Sequence, residues 1–314
     1  MLIKFITLGY NQKHNKMNYK HITIAGSGVL GYQIAFQSAF HGFKVTVYDI
    51  NDEVLEKAKS KFKSMSDAFK KDLGATQEEI DQAFKNLSYN SNLKEAVENA
   101  DLLIEAVPEN PEIKISFYEK LAKVAPEKTI FATNSSTLLP SQFAEATGRP
   151  SQFLALHFAN DIWIHNTAEI MGHPGTDAKV FEDIVSFAKA IGMLTLPLHK
   201  EQPGYILNSL LVPLLNSATD LLIKGVADTE TIDKTWMKAT GAPIGPFAIL
   251  DIVGITTAYN INKMTAKKTK DPVKIKTVEY LKENFIDKNK LGVSTGEGFY
   301  KYPNPAYKNE DFLK

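Results

Sequence analysis

The chain has 314 residues, which is long enough for two domains of ordinary size, each with its own hydrophobic core. It carries 36 lysines and arginines against 36 aspartates and glutamates, so the balanced charge predicts neither a nucleic-acid partner nor an anionic membrane partner. It has no cysteine, which excludes disulfides, thiolate catalysis and cysteine-ligated metals, and which is compatible with a cytoplasmic location. No apolar run approaches the roughly 20 residues that a membrane-spanning helix needs.

Residues 1–17 precede the first predicted strand. They are briefly apolar but lack the long hydrophobic segment and the small-residue cleavage site of a secretory signal. We therefore expect them to form an N-terminal extension to the first domain.

The first predicted strand, residues 22–25, is followed by a glycine-rich turn at residues 26–31. The turn reads Gly-Ser-Gly-Val-Leu-Gly and opens a helix. A second strand, 44–48, comes after this helix and is followed by Asp49. In dinucleotide-binding turns, the first glycine makes the tight turn, the second lets the backbone approach a pyrophosphate, and the third lets helix and strand pack closely. Asp49 stands where a carboxylate would bind both ribose hydroxyls of NAD and repel the extra phosphate of NADP. The alternative is a purely structural turn. The expected NAD contacts are Gly26, Gly28, Val29, Leu30, Gly31 and Asp49.

Predicted helices and strands alternate from Asp49 to residue 198. Two lysine-rich helices, 52–71 and 76–84, exceed the length of a simple crossover and are expected to form a helical excursion. Their lysines either form a solvated face or clamp a phosphorylated part of the substrate. The later strands are predicted at 87–89, 101–107, 129–133, 153–158, 167–171 and 193–198, and the helices between them at 93–98, 111–124, 139–147 and 177–191. This alternation predicts a doubly wound parallel sheet that binds ligands at the carboxyl ends of its strands.

Only helices are predicted after residue 202. The first, 203–224, is rich in leucine and contains Pro213, and three more follow at 228–240, 249–264 and 272–284. The predicted fold is therefore α/β, with a Rossmann-type doubly wound sheet followed by an all-α domain. The domains are predicted as the 1–17 extension, an NAD-binding domain at 18–201 and a helical substrate and dimerisation domain at 202–314.

Four polar residues stand at the ends of predicted strands or in the first turn of the long helix: Ser136, His157, Glu169 and Asn208. Oxidation of an alcohol by hydride transfer needs a base for the hydroxyl proton, and a histidine suits this near neutral pH. A carboxylate on its second nitrogen would fix the tautomer and stabilise the imidazolium. Alternatively, His157 is a hydrogen-bonded core histidine. The histidines lack the close spacing of metal ligands, so no metal site is predicted.

The sequence resembles the L-3-hydroxyacyl-CoA dehydrogenases, including the bacterial 3-hydroxybutyryl-CoA dehydrogenases, from about residue 20 to residue 303. The matching segments agree in order and spacing. They are 26–31 with Asp49, 104–110, 131–136, 156–160, Glu169, 203–208, 245–251 and 295–300. No hydratase domain is attached, so the chain looks like the monofunctional form.

The resemblance implies NAD-dependent oxidation of short-chain L-3-hydroxyacyl-CoA to 3-ketoacyl-CoA, and the reverse reaction. It also implies that the enzyme is a homodimer and that it takes part in fatty acid β-oxidation. His157 is implied as the general base and Glu169 as the carboxylate that orients it. Ser136 and Asn208 would contact the reacting oxygen and the substrate. The implied cofactor contacts are Asp49, Glu109, Lys114, Ser136 and Asn160.

The sequence departs from the family pattern on the substrate side. The loop at 161–168 carries Trp163, His165 and Asn166 in place of a proline-containing segment, and His165 is expected to be an exposed loop residue. The family's CoA contacts in the excursion fall near Met65 and Asp72. A dehydrogenase of a free 3-hydroxy acid, like the carnitine or gulonate enzymes, is therefore a second interpretation. A non-catalytic NAD-binding protein is a third, although the four intact polar residues argue against it.

Overall fold

The computed structural model describes residues 19–314, so the predicted extension at 1–17 lies outside the described residues. The chain forms two compact units that meet in sequence between Ile206 and Leu207. The first unit is an α/β layer structure and the second is helical. The predicted fold class is confirmed.

An eight-stranded sheet forms the centre of the first unit. Its strands are β1 (His21–Ala25), β2 (Lys44–Tyr48), β3 (Leu87–Asn90), β4 (Leu102–Glu105), β5 (Ile130–Thr133), β6 (Phe153–Phe158), β7 (Thr167–Gly172) and β8 (Leu194–Leu198). The strand order is β3-β2-β1-β4-β5-β6-β7-β8. Strands β4, β5 and β6 are buried along their whole length, as expected for strands covered on both faces.

One strand pair differs from the predicted all-parallel sheet. Strands β6 and β7 are antiparallel, while every other neighbouring pair is parallel. Only residues 159–166 connect them. A parallel crossover needs a dozen or more residues, so this connection can only return the chain as an antiparallel strand.

In the described part of the first unit, residues 19–206, six α-helices accompany the sheet. They are α1 (Val29–Phe40), α2 (Asp52–Leu73), α3 (Gln77–Asn86), α4 (Leu93–Val97), α5 (Pro111–Ala122) and α6 (Ala178–Ala190). The predicted capping signature at Thr76 is confirmed, because its side chain and that of Glu79 form a reciprocal capping box. The helix predicted at 139–147 is wrong, since this segment forms two short 3₁₀ turns, Pro140–Gln142 and Glu145–Thr147.

The helical excursion packs on α1 through aromatic side chains. Phe62 and Phe69 of α2 are fully buried, and the Phe69 ring lies edge-on to Phe36 of α1 with ring centroids 4.9 Å apart. Met65 belongs to the same buried face. One face of α2 is therefore part of the core, and its polar residues lie on the opposite face.

The second unit contains five α-helices: α7 (Leu207–Ile223), α8 (Thr229–Thr240), α9 (Pro246–Val253), α10 (Ile255–Thr269) and α11 (Pro272–Asn284). The prediction of a helix from residue 203 is wrong at its start, because Gly204 and Tyr205 have positive φ angles that a right-handed helix excludes. The single helix predicted at 249–264 is two helices, separated by Gly254 with φ 94°.

Two buried aspartates organise the second unit. Asp233 of α8 accepts hydrogen bonds from the backbone N–H groups of Phe247 and Ala248, in the first turn of α9. Asp251 of α9 accepts from the N–H groups of Phe299 and Tyr300. Burial raises the pKa of both carboxyl groups despite these donors. The sequence segments 245–251 and 295–300 therefore have a structural role in folding this unit.

We predict that Asp251→Ala lowers the free energy of unfolding of the second unit by about 3 kcal/mol or more. It leaves the buried N–H groups of Phe299 and Tyr300 and the Tyr302 hydroxyl without this acceptor, and each lost partner costs about 1–3 kcal/mol. The measurement is urea denaturation followed by the fluorescence of Trp236, in a Trp163→Phe background. The control is Asp287→Ala, which removes an exposed ion pair with Lys282 and should cost at most about 1 kcal/mol. Equal effects of the two substitutions would contradict this account of Asp251.

Candidate active site

The glycine-rich turn connects β1 to α1, and each of its three glycines has a different environment. Gly26 has φ 104°, and a Cβ added there would lie 2.5 Å from the Ala106 carbonyl oxygen. A Cβ added at Gly31 would overlap the Gly26 carbonyl oxygen. At Gly28, no atom of the described residues lies within 4 Å of an added Cβ. The first and third glycines are thus required by the protein itself, whereas the space beside Gly28 fits the pyrophosphate of a dinucleotide.

Asp49 lies at the carboxyl end of β2 and accepts hydrogen bonds from the N–H and the hydroxyl of Ser27, at 2.7 and 2.6 Å. It therefore holds the glycine-rich turn, and its expected contact with the ribose of NAD stays a prediction. Asp49, Gly26 and Gly28 line a cavity of about 900 Å³. Val29 and Leu30 form the start of α1, where backbone N–H groups have no partner within the helix.

A second group of polar residues lies at the carboxyl ends of β4 and β5. The Glu109 carboxylate accepts from the backbone N–H groups of Ser136 and Thr137, both at 3.0 Å. The Lys114 ammonium lies 3.3 Å from the other Glu109 oxygen. Burial acts to raise the pKa of Glu109, but the Ser135 hydroxyl and the Lys114 charge outweigh it and lower that pKa. Three of the predicted cofactor residues, Glu109, Lys114 and Ser136, are thereby brought together.

Lys114 also has a partner that the sequence analysis missed. Its ammonium lies 2.6 Å from the carboxylate of Glu105, the last residue of β4, and both side chains are buried. A charged residue in an otherwise apolar strand was the available signal. The apolar pattern of that strand indicates only that the strand is buried. It does not identify Lys114, nine residues later in the chain, as the cation that contacts the carboxylate.

His157 and Glu169 face each other across the antiparallel pair β6–β7. They are directly opposite in register, and His157 Nδ1 lies 3.0 Å from Glu169 Oε2. Both side chains are almost completely buried, with exposed fractions of 6% and 3%. The other Glu169 oxygen accepts a hydrogen bond from the Ile206 N–H at 2.8 Å. Because Nδ1 faces the carboxylate, Nε2 is the nitrogen that can exchange a proton with a substrate.

Tyr205 connects this pair to the turn that contains Ser136. Its ring stacks on the His157 imidazole with centroids 4.6 Å apart, and its hydroxyl donates to the Ser135 carbonyl oxygen at 2.8 Å. Burial raises the pKa of the Tyr205 phenol, so the ring stays neutral beside His157. Sequence analysis missed Tyr205 because it assigned the residue to a helix.

The β6–β7 connection is fixed at two points of the α1–α2 layer. The backbone N–H groups of Asp161 and Ile162 donate to the side chain of Gln33, in α1. The Trp163 indole donates to the Asp72 carboxylate at 2.9 Å, at the end of α2. Asn160 and His165 are exposed. Asn208 lies in the first turn of α7, in the second unit, and its predicted contact with the substrate stays a prediction.

Among residues 19–314, no three histidine, cysteine, aspartate or glutamate side chains are grouped so that they could hold a metal ion. No helix in the same range is both long and apolar enough to cross a membrane.

Comparison with known proteins defines the class of this site. Residues 21–202 match the NAD-binding domain of 3-hydroxyacyl-CoA dehydrogenase, and residues 204–302 match the C-terminal domain of the same family. Together the two matches cover most of the chain. The chain therefore belongs to the 3-hydroxyacyl-CoA dehydrogenase family, as the sequence resemblance predicted. Its first unit is an NAD-binding domain, so the predicted cofactor is confirmed.

Individual relatives agree with this assignment. The human mitochondrial hydroxyacyl-coenzyme A dehydrogenase is 35% identical over 91% of this chain and 92% of its own length. A probable 3-hydroxybutyryl-CoA dehydrogenase of Bacillus subtilis is 30% identical over 91% and 98%.

Solved structures add a second kind of relative. The (S)-3-hydroxybutyryl-CoA dehydrogenase of Ralstonia eutropha is 26% identical, with a TM-score of 0.79 over 91% of this chain and 100% of its own. A diketoreductase, described as performing substrate-directed dual catalysis of dicarbonyl compounds, is 54% identical, with a TM-score of 0.86 over 90% and 99%.

The glycine-rich turn yields a paired prediction. Gly28→Ala should leave the melting temperature within a few degrees of the parent and weaken NADH binding at least about tenfold, because the added methyl group enters only the space for the cofactor. Gly31→Ala should lower the melting temperature strongly, because its Cβ meets the Gly26 carbonyl. Thermal unfolding and a fluorescence titration with NADH measure both quantities. Normal NADH affinity in Gly28→Ala would contradict the assignment of this turn.

Proposed function

We propose that the chain oxidises short-chain L-3-hydroxyacyl-CoA to 3-ketoacyl-CoA with NAD, and catalyses the reverse reaction. The observation that carries the proposal is the buried, directly opposed pair of His157 and Glu169, 3.0 Å apart. Family membership supports the substrate class, since relatives with this domain pair are named hydroxyacyl-CoA dehydrogenases.

The proposed proton path uses the two nitrogens of His157 differently. Nδ1–H donates to Glu169, which leaves the Nε2 lone pair to take the proton of the substrate hydroxyl. The Glu169 carboxylate stabilises the imidazolium that forms, and burial strengthens this interaction. When bound, NAD accepts the hydride that leaves the substrate carbon. In the reverse direction, protonated His157 returns its proton to the keto oxygen.

In this proposal the remaining predicted residues bind the cofactor or the substrate. Asp49 would bind a ribose of NAD, and Glu109, Lys114 and Asn160 would be further contacts that hold the cofactor. Ser136 and Asn208 contact the reacting oxygen and the substrate. The network joining Glu109, Lys114 and the Ser136 backbone supports the shared role of these three residues.

The mechanism predicts a strong effect of two substitutions. His157→Ala should reduce kcat about 10²–10⁴-fold, the usual contribution of a general base, and leave NADH binding nearly unchanged. Glu169→Gln should reduce kcat at least about tenfold. The Ile206 N–H holds the amide oxygen, so the amide N–H₂ faces Nδ1 and favours the tautomer that carries its proton on Nε2.

The measurements are steady-state kinetics with acetoacetyl-CoA and a direct NADH titration of each variant. The matched control is His165→Ala, which removes an exposed histidine in the β6–β7 connection and should keep kcat within about twofold of the parent. Undiminished turnover by His157→Ala would remove this mechanism.

A second candidate substrate class is a free dicarbonyl compound and the hydroxy compound formed from it. The diketoreductase at 54% identity favours it. The side chains at Met65 and Asp72, near which the family resemblance implies contacts with CoA, also favour a free substrate. Met65 is buried in the core, and the Asp72 carboxylate is bonded to the Trp163 indole. Neither side chain offers a cation to the phosphates of CoA.

The two substrate classes are distinguished by NADH oxidation with acetoacetyl-CoA, free acetoacetate and a free 1,3-diketone. The leading proposal expects kcat/KM to be highest with the CoA ester. A higher kcat/KM with a free dicarbonyl compound would replace it by the second candidate. Absence of turnover with all three, while NADH binds normally, would contradict both.

We also propose a cytoplasmic homodimer that assembles through the second unit. Leu210 and Met264 are about 70% exposed in its helices, and Ile252 is also exposed, as expected for apolar residues that a second copy would cover. Light scattering that gives the mass of one subunit would contradict the dimer.

The absence of cysteine supports the proposed location in the reducing cytoplasm. Recovery of the native protein in a membrane or extracellular fraction would contradict that location.

A further inference from the structure

Glu105 is a buried carboxylate for which the proposed mechanism has no role. It is the last residue of β4, and its side chain has no exposed surface. One oxygen accepts from the Lys114 ammonium and the Val107 N–H, at 2.6 and 2.8 Å. The other accepts from the hydroxyls of Tyr118 and Thr133, at 3.0 and 2.8 Å. Two of these four neighbours, the Lys114 ammonium and the Val107 N–H, can only donate, whereas the two hydroxyls can also accept.

Lys114 lies between two carboxylates of different kinds. Glu105 is fully buried at 2.6 Å, whereas Glu109 is partly exposed at 3.3 Å. The Lys114 side chain itself is only 1% exposed, so its charge depends on nearby anions for stability. The shorter and better desolvated pair is the one with Glu105. Glu105 therefore balances most of the Lys114 charge.

This balance leaves Glu109 available for other contacts. One Glu109 oxygen accepts from the N–H groups of Ser136 and Thr137 and from the Thr137 hydroxyl, all at 3.0 Å. If Lys114 had no other anion, its attraction to Glu109 would compete with these bonds to the 135–137 turn. Glu105 gives Lys114 a second anion, and it has no exposed surface from which to reach a ligand itself.

The position of Glu105 also links it to the glycine-rich turn. Glu105 pairs in register with Ala25, the last residue of β1 before Gly26. The next residue, Ala106, has the carbonyl oxygen that a Cβ added at Gly26 would meet at 2.5 Å. Glu105 itself does not line the cavity beside the glycine-rich turn, whereas Ala106 and Val107, the two residues after it, do.

We propose that Glu105 is a positioning residue for NAD: its negative charge fixes Lys114, and through Lys114 it keeps Glu109 and the 135–137 turn in the arrangement that binds the cofactor. The proposal rests on the cofactor roles of Lys114 and Glu109 given under the proposed function. It goes beyond them because Glu105 acts only through another side chain and touches neither cofactor nor substrate.

Glu105→Gln separates charge from shape. Glutamine has the same size and can still accept from Lys114 and from the Val107 N–H, while its amide group faces hydroxyls that can accept as well as donate. The variant should fold, and its NADH dissociation constant should rise about tenfold or more, since a charge-assisted hydrogen bond within the site is weakened. KM for NAD should rise in parallel, with a smaller change in kcat.

The matched control is Tyr118→Phe. It removes a hydroxyl from the Glu105 oxygen that does not contact Lys114, and it keeps the buried ring. It should lower the melting temperature of the cofactor-free protein and leave the NADH dissociation constant within about twofold of the parent. A purely structural role for Glu105 predicts instead that the NADH dissociation constant follows the melting temperature in both variants.

A double-mutant cycle with Lys114→Met tests the route of the effect. If Glu105 acts through Lys114, NADH should bind Glu105→Gln/Lys114→Met no more weakly than Lys114→Met alone. The double variant should also melt higher than Lys114→Met, which leaves a buried carboxylate without its cation. These readouts use NADH titration and thermal unfolding, so they are independent of turnover and of the substrate class.

The outcomes separate this proposal from the proposed function. Unchanged NADH affinity in Glu105→Gln, with weakened affinity in Lys114→Met, would overturn the role of Glu105 alone. Unchanged affinity in Lys114→Met would overturn that role together with the cofactor contact of Lys114. Additive losses in the double variant would show that Glu105 does not act through Lys114, and would also overturn the proposal.

Discussion

The antiparallel pairing of β6 with β7 is the constraint on which the catalytic site depends. Opposed side chains on neighbouring strands stand about 5 Å apart on one face, so the register alone brings His157 and Glu169 into hydrogen-bond range. The short 159–166 connection enforces this arrangement, because it leaves no length for a crossover helix. Tyr205 then covers the imidazole and joins it to the turn after β5. The pair is thus positioned by backbone pairing, which is more rigid than a loop.

The same carboxyl edge of the sheet holds a second charge arrangement, in which the buried Glu105 and Lys114 meet the partly exposed Glu109. Each arrangement contains a buried carboxylate, Glu169 in one and Glu105 in the other, and each of these carboxylates accepts hydrogen bonds at both oxygens. The first arrangement would take the proton from the substrate hydroxyl. The second would hold the cofactor that accepts the hydride. Their common position at the ends of β4, β5 and β6 follows from the strand order of the doubly wound sheet.

Features set by local sequence could be predicted, and features set by contacts between distant segments could not. The Thr76 cap and the turn between β1 and α1 depend on residues close in sequence, and the structure has both as expected, with Asp49 directly after β2. The antiparallel direction of β7 follows from the short 159–166 connection. The regular alternation of predicted strands and helices indicated a parallel strand instead. Tyr205 was assigned to a helix because Pro203 and the leucines after it resemble a helix start, although Gly204 and Tyr205 adopt left-handed backbone angles. Glu105 meets Lys114 only once β4 and α5 are packed together.

The central claim is that Glu169 holds His157 in the tautomer with its proton on Nδ1. The most direct measurement is the two-bond ¹⁵N–¹H correlation spectrum of ¹⁵N-histidine-labelled protein at about pH 8, where an ordinary histidine is neutral. The His157 signals would be assigned with a His157→Gln variant. The account predicts a protonated Nδ1 and an unprotonated Nε2 for this residue, with the two states exchanged in Glu169→Gln. A parent spectrum with the proton on Nε2 and a bare Nδ1 would contradict it.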